Sequence, residues 1–546
     1  MEYKNDSVAI SDRPNQTTTD RVATSGIPEY PLTMNVQQLQ FRIAVLICVP
    51  ALLVQTSGCR NKPNARAKAP RTALKNAPEI DNVIIISIDT LRADHLGCYG
   101  HPFVKSPNID AFAKESVVFE NHISAAPTTL ASHTSLMTGT YPHTHGGARN
   151  RYVLGDENEM LAEVLSKNGF DCAGIIGAFP LDSVFNFDQG FAHYDATFTI
   201  SHEKGVVDQH QRLATDVTDA AIRWLDKRTK KENADRDRLF MFVHYFDVHW
   251  PYEAPFKYRR LYGESGSRKK GSMANIKIVR KLLRAAENDP AQLEKAMAFA
   301  RALDNEYAAE ITYCDEHVGR LLDDLKKRGI YDKSLIILTS DHGETMHEHD
   351  LYFSHGTTVY DSEVHTPLIV RFPGQSHAGR RVSQVVSNVD VVPTILHLLN
   401  LPGIKRMEGV SFAGVVDGPI PERSPVFAEA TQPWWDERFH DTSGWVNQKK
   451  FQCVRTNAFK YVARDPDQIY GFYDLEADRD EQNNLIDSKN PQHIKLIANM
   501  KKRLADWQMQ AAPIPAFEDK SPETLQKMHH LGYAGPADDL IDATTN

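Results

Sequence analysis

The chain lacks a long hydrophobic run, is poor in cysteine and carries no excess of basic charge, and each shortage removes a class of protein. The apolar stretch at 43–54 (IAVLICVPALLV) is twelve residues long, whereas a helix crossing a bilayer needs about 20. Six cysteines in 546 residues are too few for a disulfide-built fold, and they show no zinc-finger spacing. Lys plus Arg number 62 against 71 Asp plus Glu, a formal net charge of −9. That excludes a general nucleic-acid coat and gives no overall pull toward anionic lipid. No internal repeat or low-complexity tract is present. What remains is ordinary globular composition, 41% hydrophobic and 24% charged, in a chain long enough to bury a full core. The 23 histidines stand out, because several sit close to carboxylates.

The N-terminus is set apart before any fold argument. Residues 1–42 are polar and end on Arg42; the apolar stretch then fits a signal-peptide core better than a membrane span. Thr56-Ser57-Gly58-Cys59 follows and resembles a bacterial lipobox, with Met34 offering a start of ordinary leader length. The expectation is a leader over 1–59, a basic tether over 60–80, and an exported lipoprotein held to a membrane by a lipid on Cys59, periplasmic or on the cell surface. Cys98, Cys172, Cys314 and Cys453 are then free to pair, but the sequence fixes no pairing.

From Asn82 onward, strand and helix signals alternate, the mark of a parallel sheet with crossover helices. VIIISI (83–88), LFMFVHYF (239–246) and SLIILTS (334–340) are short apolar runs of the kind buried on both faces. Helical patterns lie between them, for example at 306–329, with a helical insertion expected at 264–303. After about residue 400 short aromatic strands and a last helix (494–510) predict a smaller antiparallel sheet with a packing helix. The expected layout is a catalytic α/β domain over 81–400, an α+β subdomain over 401–515 and a polar tail over 516–546.

Each of the three apolar runs leads into an acidic residue: Asp89, Asp247 and Asp341. Ligands of open parallel sheets bind outside the carboxyl ends of the strands, so the three carboxylates are expected on one rim. Like charges there repel unless a cation compensates them. His249, His342 and His355 accompany them, and mixed Asp/His donors suit zinc, manganese or iron rather than calcium or magnesium. Between the first two carboxylates, APTTLASHTSLMTGTYPHTHG (126–146) reads as a loop feeding a helix, and a hydroxyl at a helix start faces N–H groups that favour an anionic ester.

DTLRADHLGCYGHP (89–102), TLASHTSLMTGTYPHTHG (129–146), HYFDVHWPYEAP (244–255), SDHGE (340–344), SHGTTVYDSEVHTPLIVRFPG (354–374) and FYDLEADRDEQNNL (472–485) resemble the sulfatase family of the alkaline phosphatase superfamily. The resemblance spans roughly 82–510 and implies an alkaline-phosphatase-like core and a metal-dependent ester hydrolase. It departs at the centre. The family's nucleophile position, Cys or Ser matured to formylglycine, falls on Thr129, which is not a substrate for that maturation; Ala131 and His133 stand for the family's Pro and Arg. Asp89-Thr90 replaces a double Asp, and His355 stands where Lys is expected.

Thr129 and Asp341-His342 are similar to the nucleotide pyrophosphatase/phosphodiesterase branch, which uses a Thr nucleophile and two zinc ions. That likeness implies one metal on Asp89, Thr129, Asp341 and His342, and a second on Asp247, His249 and His355. It also implies two dications, zinc or manganese, with calcium or magnesium if the chain behaves as a conventional sulfatase. An unactivated Thr hydroxyl is hardly ionised at neutral pH and needs a base or a metal. His133, one helical turn beyond Thr129, is expected to contact the transferred group or to hydrogen-bond behind it. The leading expectation is an exported hydrolase of small-molecule or glycan sulfate or phosphate esters. The alternatives are a phosphodiesterase or phosphonate monoester hydrolase, a phospho-group transferase, and an inactive lipoprotein that binds sulfated glycans.

Overall fold

The computed structural model describes residues 78–530 except 199–210, 230–237, 264–278, 280, 284, 287–288, 350, 417–424, 431–449 and 466–467. The leader over 1–59, Cys59 with it, and 60–77 of the tether lie outside the described residues, as does most of the insertion's first half.

The strands of the central sheet are β1 (Asn82–Ile88), β2 (Val117–Ile123), β4 (Phe170–Ile175), β5 (His193–Asp195), β6 (Arg238–Tyr245), β7 (Ser334–Thr339), β8 (His365–Arg371), β9 (Arg381–Val382) and β10 (Val386–Ser387); β3 (Tyr152–Val153) lies outside it. Their order is β10-β2-β8-β7-β1-β6-β4-β5, with β9 beside β2. β1 pairs in parallel with β6 and β7, whereas β8 runs antiparallel to β7 and β2. The sheet is therefore mostly parallel, and the expectation of an α/β fold holds.

Every residue of β1, β7 and β8 is buried, because helices cover both faces of the sheet. Strand periodicity divides the core. Ile84, Ile86 and Ile88 join Met241, Val243, Tyr245, Ile336 and Leu338 on one face. Val83 and Ile85 join Phe240, Phe242, Leu335 and Ile337 on the other. Helix α1 (Thr129–Thr138) packs on the second face through Leu130, Leu136 and Met137. Helices α2 (Ala214–Thr229) and α3 (Pro290–Lys327) pack on the first, through Val217, Leu225, Leu303 and Tyr307 among others. Gly139 ends α1 at φ 69, and its N–H bonds the Ser135 carbonyl, a left-handed cap that glycine adopts without Cβ strain.

A smaller antiparallel sheet, β11 (Val426–Glu429), β12 (Gln452–Arg455), β13 (Phe459–Asp465) and β14 (Gln468–Asp474), carries helix α4 (Pro491–Gln508). Trp507 of α4 stacks on Phe427 at 4.9 Å. Buried charge ties this sheet to the catalytic domain: Asp361 pairs with Arg455 at 3.0 Å and with Lys460 at 2.8 Å.

Two expected boundaries move. The expected insertion end at 303 falls inside α3, which runs unbroken from Pro290 to Lys327. Asp289 caps it by accepting from the N–H groups of Ala291 and Gln292, with Pro290 in the first turn; no further proline stands before Lys327, and Gly319 is held within the helix against Asn108. The expected polar tail over 516–546 is in part built into the body. β15 (Phe517–Glu518) pairs with β3, Glu518 binds Arg149 and Arg151, and Met528 of helix α5 (Pro522–His530) is buried in the second core. Among the described residues no helix is long and apolar enough to cross a membrane, and Cys98, Cys172, Cys314 and Cys453 form no disulfide with one another.

Candidate active site

Strand register decides which side chains meet. Ser87 of β1 stands beside Thr339 of β7 and His244 of β6, so these three share one row. Asp89 and Asp341 lie two residues further along their chains and project to the same side, over which α1 brings Thr129. The outcome is a buried polar nest of Asp89, Thr129, His133, His244, Asp341 and His342, every member essentially without solvent contact. Thr129 Oγ1 donates to Asp89 Oδ2 at 3.5 Å. His342 Nε2 lies 3.4 Å from Asp341 Oδ2 and 3.8 Å from Asp89 Oδ1, and His244 Nε2 lies 3.4 Å from Asp89 Oδ2.

The donor set fits a divalent cation. Asp341 Oδ1 accepts from the backbone N–H groups of Thr90 and His342; Asp341 Oδ2, Asp89 Oδ1 and His342 Nε2 take no hydrogen bond among the described residues. His342 Nδ1 sits 2.9 Å from the Gly343 carbonyl. A carbonyl only accepts, so Nδ1 carries the proton and Nε2 presents its lone pair to two carboxylates. Three mutually facing buried acceptors are unfavourable until a cation lies among them. Burial and the nearby Asp341 carboxylate push the Asp89 carboxyl well above its ordinary range, the signature of negative charge awaiting compensation. Burial pulls His133 down to about 3 and His244 to about 4, so both rings are neutral near pH 7.

His133 is spoken for. Its Nδ1 donates to the Thr129 carbonyl at 2.8 Å, and its Nε2 therefore accepts from Ser87 Oγ, also at 2.8 Å. Of its two expected parts the arrangement matches the second, a hydrogen bond behind Thr129, and it fixes the first turn of α1.

The expected second metal set, Asp247, His249 and His355, is not brought together. Asp247 has the parity of Met241, Val243 and Tyr245 and turns to the opposite face, where it accepts the Ala214 N–H and interacts with Glu310, Tyr313 and Cys314. Burial lifts its carboxyl to about 7. Val248, at φ 105, reverses the chain next, and His249 returns to the site side. There its ring meets His355 edge-on at 5.0 Å, and His355 lies 4.6 Å from His342. Glu344 is the carboxylate that meets this pair: its Oε1 is 3.2 Å from His355 Nδ1, and its Oε2 accepts from Tyr252 Oη at 2.6 Å. Sequence reasoning quoted the segments holding His244 and Glu344 without assigning either residue. Counting two residues at a time from Phe240 places His244 on the Ser87 face; nothing local marks Glu344, which lies in an irregular turn.

Among the described residues, two groups have ligand atoms within 4.8 Å of one another: Asp89, Asp341 and His342, and His133, His244 and Asp341. Asp341 belongs to both.

The sulfatase family model matches residues 81–401, and the model for the C-terminal part of N-sulphoglucosamine sulphohydrolase matches 348–510. The ulvan-active sulfatase of Formosa agariphila is 26% identical over 455 residues, covering 79% of this chain and 82% of its own. Among solved structures, the phosphonate monoester hydrolase of Agrobacterium radiobacter superposes with a TM-score of 0.60 at 23% identity, over 79% of this chain and 96% of its own. A protein solved with its substrate D-glucosamine-2-N,6-O-disulfate gives 0.62 at 21% identity, over 79% and 98%. These structures share the fold.

Proposed function

The chain belongs to the sulfatase family and is a hydrolase of sulfuric or phosphoric esters, and on that premise we propose that Thr129 is its nucleophile and that no formylglycine is formed. The observation that carries this reading is the Thr129 hydroxyl at the start of a fully buried helix, donating to Asp89 Oδ2. Asp89, Asp341 and His342 are the residues that would hold a dication, with zinc or manganese favoured by the imidazole nitrogen. A bound dication supplies positive charge that lowers the hydroxyl pKa and offsets charge developing in the transition state.

The chain's own residues do the rest. Asp89 orients Oγ1, and His133 holds the Thr129 carbonyl so that the hydroxyl faces the nest. The N-terminal end of α1 favours an anionic ester. Oγ1 gives its proton to Asp89 and attacks phosphorus or sulfur; the bond to the ester's leaving oxygen breaks, and that oxygen takes a proton from His355. Water then cleaves the Thr129 ester, returning the hydroxyl. His355 is our candidate proton donor, since Glu344 orients it through Nδ1 and it is the least buried member of the site, at 8% exposure.

We further propose that phosphodiesters or phosphonate monoesters are preferred to sulfate monoesters, because a threonyl phosphoryl ester is opened by water at phosphorus, whereas formylglycine's route for releasing sulfate is absent. The C-terminal match to N-sulphoglucosamine sulphohydrolase favours a second reading, desulfation of a glycan. The test is kcat/KM for bis-p-nitrophenyl phosphate, p-nitrophenyl phenylphosphonate and p-nitrophenyl sulfate in wild type, Thr129→Ala and Thr129→Ser. Loss of about 10³-fold or more in kcat for the alanine variant, with measurable activity for serine, is expected. Full activity in Thr129→Ala refutes the nucleophile, and a clear preference for sulfate refutes the substrate class. Export and lipid attachment at Cys59 complete the proposal and rest on the leader sequence alone.

A further inference from the structure

We propose that His244 is a ligand of the dication, completing with Asp89, Asp341 and His342 a set of two carboxylates and two imidazoles. The inference rests on the metal-dependent reading of this site and goes beyond it by adding a residue from the middle of a strand. Four observations carry it.

The first is position. In-register pairing sets His244 beside Ser87, one row behind Asp89 and on the same face, so no chain movement is needed to bring it in. The second is distance. A tetrahedral site with ligands at about 2.0–2.1 Å has ligand–ligand edges of roughly 3.3–3.4 Å. Three separations lie near that edge, 3.4 Å for His244 Nε2 to Asp89 Oδ2, 3.4 Å for His342 Nε2 to Asp341 Oδ2 and 3.8 Å for His342 Nε2 to Asp89 Oδ1; the two Asp89 oxygens thus face one imidazole each, and His244 also has a ring nitrogen within 4.8 Å of an Asp341 oxygen. The third is hydrogen bonding. Neither ring nitrogen of His244 has a hydrogen-bond partner among the described residues, although the ring is fully buried. A histidine kept for packing normally donates its one N–H, and a buried nitrogen without that duty calls for another partner.

The fourth is elimination of its neighbour. His133 also lies close to Asp341, at 3.6 Å, but both of its nitrogens are committed to Ser87 and Thr129. Of the two histidines facing Asp341 from this side, only His244 has a lone pair to give. Two carboxylates and two neutral imidazoles neutralise a divalent charge in a dry site, and two nitrogen donors select a transition-metal dication over calcium or magnesium. The second expected metal set is not needed: one ion satisfies every unpartnered donor atom of Asp89, Asp341 and His342 in the nest.

The experiment loads the full chain with cobalt(II) or zinc(II). It reads metal content by mass spectrometry, affinity by competition with a chromophoric chelator, and the cobalt absorption spectrum. His244→Gln is expected to weaken affinity at least about tenfold and to alter the cobalt bands, while near-ultraviolet circular dichroism of the metal-free protein stays that of wild type. His244→Cys is expected to recover tight binding and to add a thiolate-to-cobalt charge-transfer band, which packing alone would not produce. Wild-type affinity and spectrum in His244→Gln, or no charge-transfer band in folded His244→Cys, overturns the inference and leaves the parent reading intact. A wild-type protein that hydrolyses esters while binding neither ion overturns both. Full activity in Thr129→Ala with a His244-dependent cobalt spectrum overturns the nucleophile alone.

Discussion

Asp247→Asn distinguishes a metal ligand from a buried acid. Asp247 is nearly buried, its carboxyl interacts with Glu310, and burial raises it from an ordinary 3.8 to about 7. A group raised in the folded state contributes stability that is fully present below pH 3.8 and is lost as pH rises through about 7. The whole loss is on the order of 4 kcal/mol, of which roughly 3 kcal/mol falls between pH 5 and pH 8. An amide has no charge to bury and keeps an oxygen for the Ala214 N–H. The stability advantage of Asp247→Asn over wild type is therefore expected to grow by about 3 kcal/mol from pH 5 to pH 8. Urea unfolding of the full chain at pH 5, 6.5 and 8 measures it, comparing the same transition in both proteins. Metal content and kcat are expected to stay at wild-type values. A pH-independent advantage would show that the carboxylate is already ionised at pH 5 against a positive partner. A fall in metal content would return Asp247 to the ligand set and refute the placement on the opposite face.

Chelation is expected to inactivate the enzyme, with zinc or manganese restoring it better than calcium because His342 supplies nitrogen; preferential rescue by calcium would refute the donor set. Gly139→Ala is expected to cost roughly 1–2 kcal/mol in unfolding free energy, since the residue adopts left-handed φ and a Cβ there would sit 2.8 Å from Met407 Cγ; an unchanged Tm would contradict the cap. The Glu348 carboxyl is held down to about 2 by the Arg92 guanidinium against its burial, and the two pair at 2.7 Å. Its contribution is full above about pH 4.5 and is lost as pH falls through about 2, so Glu348→Gln is expected to lower stability at pH 6, with the difference shrinking steadily as the pH is brought down to about 2. Cys59→Ala is expected to release a membrane-associated protein into the soluble fraction, and mass spectrometry of an unmodified N-terminus far from residue 59 would refute lipid attachment.

The sequence by itself determined the sheet's central strands and singled out four residues of the candidate site. Runs such as VIIISI and SLIILT are apolar at successive positions because both faces are covered, and a ligand site outside the carboxyl ends of such strands follows from the architecture. Asp89, Thr129, Asp341 and His342 were legible for that reason: each stands where a buried strand ends or a helix begins. Which face a strand-end residue takes is a different matter. Alternation along one strand says only that neighbours point opposite ways. Inter-strand register and the helix packed on each face decide which parity enters the polar nest. That is why Asp247, which was expected at the site, and His244, which was not, take opposite sides: packing of α1 over the Ser87 row draws His244 into the nest, and α2 and α3 bury Asp247 on the other side. For His133 the sequence left two parts open; its bond to the Thr129 carbonyl is local to the helix, but Ser87 meets it only when that helix is laid across a strand 46 residues away in sequence. The 516–530 segment carries too little apolar periodicity to announce a packed element; its strand forms because β3 offers an edge and Arg149 and Arg151 offer charge to Glu518, a complement that exists only in three dimensions.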